Sequence, residues 1–336
     1  MSTIKDVARV AGVSIATVSR VINNGPKVGD KTRARVFSVM QELGYTPNAN
    51  ARALVTQTST TIGVVIPDLT DPFFASLANG VDKVARANNM QLLLSTSLLT
   101  AESEMQAINL LLERRCDAFV VHSKKLTDEQ LIDLAQRVPG LVLIDRQIEA
   151  IKHKCVWLDN AEGGRIAARH LDSLQHENFA CITSKYQIDD PAVRLNGFAK
   201  ELTQLGHHLP TDLTIAAEPN QQGGEIATQQ LIAKKKPFSA LFVYNDAMAI
   251  GAISTLEDNG IRVPGDVSVI GFDDVLLSRY SRPKLTTLNY PIEEMAQHAA
   301  ELALFNRDKP NTQASNDNFI YLPRLVKRES TAAYRK

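Results

Sequence analysis

The sequence predicts an N-terminal all-α helix-turn-helix domain and, behind it, an α/β core of two subdomains, each a doubly wound parallel sheet. Three observations carry this. Two short helices with apolar faces meet at Gly12, near the front of the chain. From Thr60 onward, short apolar runs alternate with stretches of helical spacing, the pattern of parallel sheets covered by helices on both faces. The chain has 336 residues, too many for one simple core, and its apolar runs are too many for one sheet of typical size.

In the head, Thr3 caps a helix from Ile4 to about Ala11, with Asp6 closing a capping box and Ile4, Val7, Ala8 and Ala11 on one face. Gly12 permits the turn. Ser14 caps a second helix through about Asn23, with Val18, Val21 and Ile22 facing inward. A third helix, Lys31 to Leu43, is expected to close the small core with Ala34, Val36, Phe37, Met40 and Leu43 before Gly44 ends it. In this motif the start of the second helix meets base edges in the major groove. Ile15 and Ala16 then offer apolar contacts to thymine methyls, and Arg20 two donors to a guanine. Ser14, Thr17, Ser19 and Asn23 suit phosphate contacts, which position the helix without reading sequence. A helical hairpin without a nucleic-acid role is the plainer alternative.

Charge supports the nucleic-acid reading. Residues 1–60 carry eight Lys and Arg against three Asp and Glu, which is +5, so the remaining residues carry −5 of a net charge of zero. A basic head on an acidic body points to nucleic acid as the partner of the head alone.

Residues 45–59, YTPNANARALVTQTS, join head and body. Asn48 to about Leu54 can make two helical turns, a length that is marginal in water because nucleation is costly. By composition alone the favoured reading is a plain flexible linker.

In the body the expected strands are TIGVVIP, MQLLLST, AFVVHS, GLVLID, CVWLD, FACITS, LTIAAE, ALFVYN and VSVIGF. Ligands of such sheets bind beyond the carboxyl ends of the strands. Polar residues gather there: Asp68, Thr70, Asp71, Phe73 and Phe74 after the first run, Asp145 and Arg146, then Arg194, Asn245, Asp246, Asp273 and Asp274. A carboxylate accepts from neighbouring hydroxyls, a guanidinium donates, an amide does both, and an aromatic face covers a sugar's C–H side. Each Asp or Asn there also reads as a turn former or a helix cap, and Asp246 is expected to cap AMAIGAISTL.

Other classes find little support. There is no phosphate loop, dinucleotide fingerprint or G-x-S-x-G elbow, so no catalytic residue, metal site or cofactor is expected. The N-terminus MSTIKDVARV has no signal-peptide character and no apolar run approaches a membrane span, so no membrane partner is expected. Cys116, Cys155 and Cys181 are odd in number and widely spaced, which fits a cytoplasmic protein. His207 and His208 read as solvated loop residues, and Trp157 as core or domain interface.

The stretches TIKDVARVAGVSIATVSRVINN, LGYTPNANARAL, RRCDAFVVHSKK and YNDAMAIGAISTLEDNGIRVPGDVSVIGFDDVLLSRYSRPKLTTLNYP resemble the lactose-repressor family of bacterial regulators. The resemblance spans essentially the whole chain. It implies a headpiece over 1–46, a hinge helix and linker over 47–59, and a periplasmic-binding-protein-like core over 60–336. The chain would cross three times between a first half of about 61–159 plus 291–319 and a second of about 160–290 plus 320–330. It implies a homodimer on double-stranded operator DNA, with hinge helices paired in the minor groove and Leu54 as the wedge that opens the central base step. Thr3, Asn48 and Ala51 complete the DNA contacts. Ligand roles fall to Phe73, Asp145, Arg194, Asn245 and Asp273, with Asp68 and Thr70 as further candidates. The implied effector is a small sugar, D-galactose, whose binding releases the operator of sugar metabolism and transport genes. The alternatives are another sugar or a purine, or a sugar-binding protein without a DNA role. Where several family members carry an aromatic residue, this chain has Pro219 and Asn220, which weakens the case for a purine.

Overall fold

The computed structural model describes residues 2–23, 25–46, 60–310, 312 and 319–334, and the chain divides into two compact units, Met1–Thr60 and Thr61–Lys336. Asn48, Ala51 and Leu54, with the expected hinge helix, lie outside the described residues.

The head is three helices: α1 (Ile4–Ala11), α2 (Ile15–Ile22) and α3 (Asp30–Glu42). The capping box at Thr3 and Asp6 is formed, with the Thr3 hydroxyl 2.7 Å from the Asp6 carboxylate. Gly12 takes the left-handed conformation (φ 64°) that ends α1 and turns the chain. Val7, Ala8, Ala11, Val18, Val21, Val36, Val39 and Met40 form the buried core. The expected face of α3 is corrected. Val39 is buried, whereas Ala34 is exposed and Phe37 is 45% exposed. Val36, Val39, Met40 and Leu43 follow i, i+3, i+4, i+7, and positions 34 and 37 fall off that stripe.

The core unit holds two six-stranded sheets. The first contains β1 (Thr61–Ile66), β2 (Gln91–Thr96), β3 (Ala118–Val121), β4 (Gly140–Ile144), β5 (Cys155–Leu158) and β11 (Ile320–Tyr321), in the order β11-β5-β4-β3-β1-β2, all parallel. The second contains β6 (Phe179–Ser184), β7 (Thr214–Ala217), β8 (Ala240–Val243), β9 (Ser268–Asp273), β10 (Thr286–Asn289) and β12 (Arg324–Val326), in the order β12-β10-β9-β8-β6-β7. Only β12 runs antiparallel, against β10. Every strand expected from sequence is present. The short strands β10, β11 and β12 were not expected. One boundary moves: Ile320–Tyr321, assigned from sequence to the second half, pairs with Trp157–Leu158 in the first sheet. The chain therefore returns to the second half after Tyr321.

Helices α4 (Pro72–Ala87), α5 (Ala101–Glu113), α6 (Asp128–Arg137) and α11 (Ile292–Asp308) accompany the first sheet. The second carries α7 (Asn160–Ser173), α8 (Asp189–Gln204), α9 (Gln221–Ala233) and α10 (Asp246–Asp258). The α7–α8 pair packs backbone to backbone: a Cβ at Gly164 would lie 2.2 Å from the Arg194 carbonyl oxygen, and one at Gly197 would lie 2.3 Å from that of Ala161. That close approach fixes where α8 presents Arg194. Among the described residues, no helix is long and apolar enough to cross a membrane. All three cysteines are buried and free, and burial pushes the thiols of Cys116 and Cys155 up, to about 12 and about 11.

Candidate functional site

The carboxyl ends of β1, β3, β4, β8 and β9 converge on a chamber of about 80 Å³ between the two sheets. Phe73, Asp145, Arg194, Asn245 and Asp273 all line it, so the structure brings five of the sequence-derived candidates together. Asp68 and Thr70 do not reach it. They line an outer chamber of about 270 Å³, which shares Asp71, Phe74, Leu99, Tyr186 and Pro219 with the inner one. There the Asp68 carboxylate accepts the Thr70 amide and hydroxyl, both at 2.8 Å. Tyr186 gives this mouth an aromatic ring even though positions 219 and 220 carry none.

Arg194 is 4% exposed. Its Nε donates to Asn160 Oδ1 and its Nη1 to the Tyr244 carbonyl, both at 2.8 Å. Its guanidinium sits 3.7 Å from the Phe272 ring centroid and 4.7 Å from that of Tyr244. Stacking and two bonds hold the group rigid. Asp273 approaches it at 3.6 Å, too long for a hydrogen bond, and no donor bonds the Asp273 carboxylate among the described residues. Burial pushes the Asp273 carboxyl well above the usual range, against the pull of Arg194.

Asp145 is held differently. The Tyr290 hydroxyl donates to it, His122 Nε2 lies 3.2 Å away and the Lys124 ammonium 2.8 Å away. Burial alone would raise its pKa, but Lys124 and His122 outweigh burial and hold the carboxyl well below the usual range. Lys124 also reaches Asp190, at 2.8 Å, on α8 of the other half. Burial, and then the charge of Asp145, raise the Asp190 carboxyl despite that ammonium. Lys125 adds a second tie between the halves by donating to the Gln187 carbonyl at 3.1 Å. The buried Nδ1 of His122 has no partner among the described residues.

Phe73 opens α4, its amide capped by Asp71 at 2.9 Å, and its ring meets those of Phe74 and Tyr290 edge-on. Asn245, rather than Asp246, is the cap of α10: its Oδ1 accepts from the Met248 amide at 2.9 Å, and its Nδ2 donates to the Pro219 carbonyl. Asp246 is instead fully buried, accepting from Thr287 Oγ1 at 2.5 Å and the Val275 amide at 3.0 Å. The cap precedes the first helical residue, and the chain places Asn245 there. Asp274 bonds Arg328, and Arg146 turns away to Asp128 and the Leu126 carbonyl, so neither lines the inner chamber. His207 is not simply solvated, since it bonds Asp172 at 2.8 Å.

Asp145 (φ 59°) and Asp273 (φ 105°) occupy the left-handed backbone region, which disfavours side chains other than glycine. Such strain gathers where a fold holds a functional group in place.

The residues missed from sequence are His122, Lys124, Asp190 and Tyr290. His122 follows a strand, as Asp145 does, so the same rule reaches it. Tyr290 follows β10, whose residues TTLN are not an apolar run.

In the head, Ser14 caps α2 by accepting from the Thr17 amide at 3.1 Å. Ile15, Ala16, Arg20 and Asn23 are exposed, Thr17 and Ser19 half-buried. Arg20 has no partner among the described residues, whereas Thr3 spends its hydroxyl on Asp6. One face of α2 thus offers two small apolar groups and an unpaired guanidinium.

Comparison with known proteins gives consistent matches. Residues 3–48 match the bacterial regulatory proteins of the lacI family, and residues 168–331 a periplasmic binding protein-like domain. The transcriptional regulator GalR of Escherichia coli (strain K12) is 45% identical, with 99% of this chain and 96% of that protein covered. GalS of Salmonella typhimurium is also 45% identical, over 99% and 97% of the two chains. A crystal structure of the lac repressor dimer bound to operator and the anti-inducer ONPF superposes with a TM-score of 0.87, at 27% identity and 99% coverage of each chain.

Proposed function

Since the chain belongs to the lacI family of bacterial regulatory proteins, we propose that it is a homodimeric DNA-binding transcriptional repressor whose operator complex is released by D-galactose. It is a regulator rather than an enzyme. The α2 face that presents Ile15, Ala16 and Arg20 reads bases, and Ser14, Thr17, Ser19 and Asn23 meet phosphates, with Thr3 beside them. Asn48, Ala51 and Leu54 are assigned to the hinge contacts. Asp145, Arg194, Asn245 and Asp273 read the sugar's hydroxyls and Phe73 covers its C–H face, with Asp68 and Thr70 at the mouth.

The observation that carries the effector reading is Asp273. It is a carboxyl with a side chain only 10% exposed, a guanidinium near it and no hydrogen-bond donor on it among the described residues. A pair of neighbouring hydroxyls supplies the missing donors, and a wrong epimer leaves the carboxylate unpaired. The 45% identity to GalR and GalS supports galactose among hexoses. Positions 219 and 220 carry no ring, but Tyr186 supplies one at the mouth, so a purine stays among the compounds tested. The dimer has apolar surface to cover at Leu276, Leu277 and Tyr280, which are 63%, 50% and 71% exposed.

The test is fluorescence anisotropy of a labelled pseudo-palindromic operator at stated salt, with galactose, glucose, ribose and a purine added in turn. Galactose alone is expected to release the duplex, and Asp273→Ala to keep the protein bound in its presence. Release by another compound replaces the effector. Normal release of Asp273→Ala removes that residue from the site.

A further inference from the structure

A second and larger cavity, of about 560 Å³, lies toward the β5 and β11 side of the same core. Asp145 and Asp190 line both it and the inner effector chamber, so the Lys124 bridge between them stands in the shared wall. Gln147 and Trp157 come to it from the first half, Gln187 and Asp189 from the second. Neither Trp157 nor Asp189 touches the effector chamber.

Its charge narrows the occupant. The cations at its wall are spent: Lys124 on Asp145 and Asp190, and Arg146 on Asp128 and the Leu126 carbonyl. The Asp189 carboxylate is exposed and has no partner among the described residues. A phosphate or carboxylate would face these acids with no free cation to meet it, so an anionic occupant is disfavoured. The side-chain amides of Gln147 and Gln187 are exposed, and each both donates and accepts. A partly exposed indole, a free carboxylate and two amides are the set that recognises a neutral ring bearing hydroxyls.

We propose that this cavity is a second saccharide site. Trp157 covers the C–H face of the ring, Asp189 accepts from its hydroxyls, and Gln147 and Gln187 complete the polar contacts. Its walls belong to both halves, so a sugar held there bridges them, and the shared Asp145 and Asp190 couple its occupancy to that of the effector chamber.

Trp157 is the chain's single tryptophan, so its emission reports on this cavity. The experiment titrates the full-length protein with D-galactose, D-glucose, D-mannose and D-fructose, and separately with spermidine, following that emission. It is repeated in Asp273→Ala and in Asn245→Ala, two independent ways to disable the effector chamber. At least one sugar is expected to shift the emission saturably in the wild type and in both variants. Asp189→Ala should weaken that response about tenfold, the scale of one lost hydrogen bond to a charged group, while operator release by the effector persists. A response that disappears in the effector-chamber variants would show that Trp157 merely senses closure of the cleft, and overturns the proposal. So does silence toward all four sugars, or a response to spermidine alone, which would assign the acids to an organic cation. Operator release depends on neither Trp157 nor Asp189, so failure here leaves the effector reading standing.

Discussion

Asp246 shows how one residue sets a pH dependence. It is fully buried between α10 and β10, and burial pushes its carboxyl up to about 8 from an ordinary value of 3.8. Below pH 3.8 the folded and unfolded chains both hold the proton, and Asp246 contributes no pH slope. Between pH 4 and 8 the unfolded chain has released the proton while the folded one retains it. Stability therefore falls as pH rises across that window, and the loss levels off above pH 8. Asparagine reproduces the neutral form, accepting from the Val275 amide and donating to the Thr287 hydroxyl, which can rotate. Asp246→Asn is expected to flatten the decline in stability between pH 5 and 8, a difference on the order of a few kcal/mol. Thermal melts of both proteins at the two pH values measure it. An equal decline in both would place the titrating group elsewhere.

At the scale of elements, the α7–α8 contact sets the position of Arg194 in the proposed sugar site. Gly164 faces the Arg194 carbonyl oxygen at 2.2 Å and the Phe198 amide nitrogen at 2.6 Å, as measured from a Cβ built on it. Gly164→Ala must part the helices and carry Arg194 away from Asn160 and Asp273. We expect a stability loss of about 1–3 kcal/mol together with weaker sugar binding. Operator affinity without sugar should remain near wild type. Calorimetric sugar titration beside operator anisotropy separates these effects, and unchanged sugar affinity would show that the helices absorb the methyl elsewhere.

Elements also decide what could be read from sequence. The first two head helices were legible because their signals are local: Thr3 with Asp6, Gly12 and Ser14 act within a few residues of one another. The face of α3 was misread at Ala34 and Phe37, because apolar character was counted where only angular position decides. Strand β10 escaped because TTLN is not an apolar run, and β11 and β12 because they span two and three residues and are defined by partners far along the chain. In the cleft, residues that directly follow long strands were legible by position. The roles of Lys124, Asp190 and Tyr290 were not, since each exists only through contacts between distant segments. Asn245 rather than Asp246 is the cap because a one-residue shift in a helix start moves it, and Asp246 goes into the core instead.

At the scale of the whole molecule, the sugar site and the DNA site are linked by thermodynamics, whatever path the coupling takes. If operator lowers galactose affinity at each site by some factor, saturating both sites of the dimer must lower operator affinity by the product of the two factors. A coupling of about 1–3 kcal/mol per effector site gives roughly 5- to 150-fold for each site. The ties between the halves suggest where the core stores the difference. Lys124 bonds Asp190, and Lys125 the Gln187 carbonyl, so a change in cleft closure must stretch or relieve both. The measurement closes a cycle: galactose affinity of the free protein, galactose affinity of the operator complex, and operator affinity with and without saturating galactose, all at one salt concentration because the DNA contacts are salt-dependent. The galactose ratio is expected to exceed about fivefold per site, and the operator ratio to equal its square, because a dimer carries two effector sites. A ratio near one on both sides would mean that galactose binds both states equally and cannot be the inducer, however tightly it binds. An operator ratio that departs from that square would point to a further linked event, such as dissociation of the dimer during the titration, which repeating the cycle at a second protein concentration would expose.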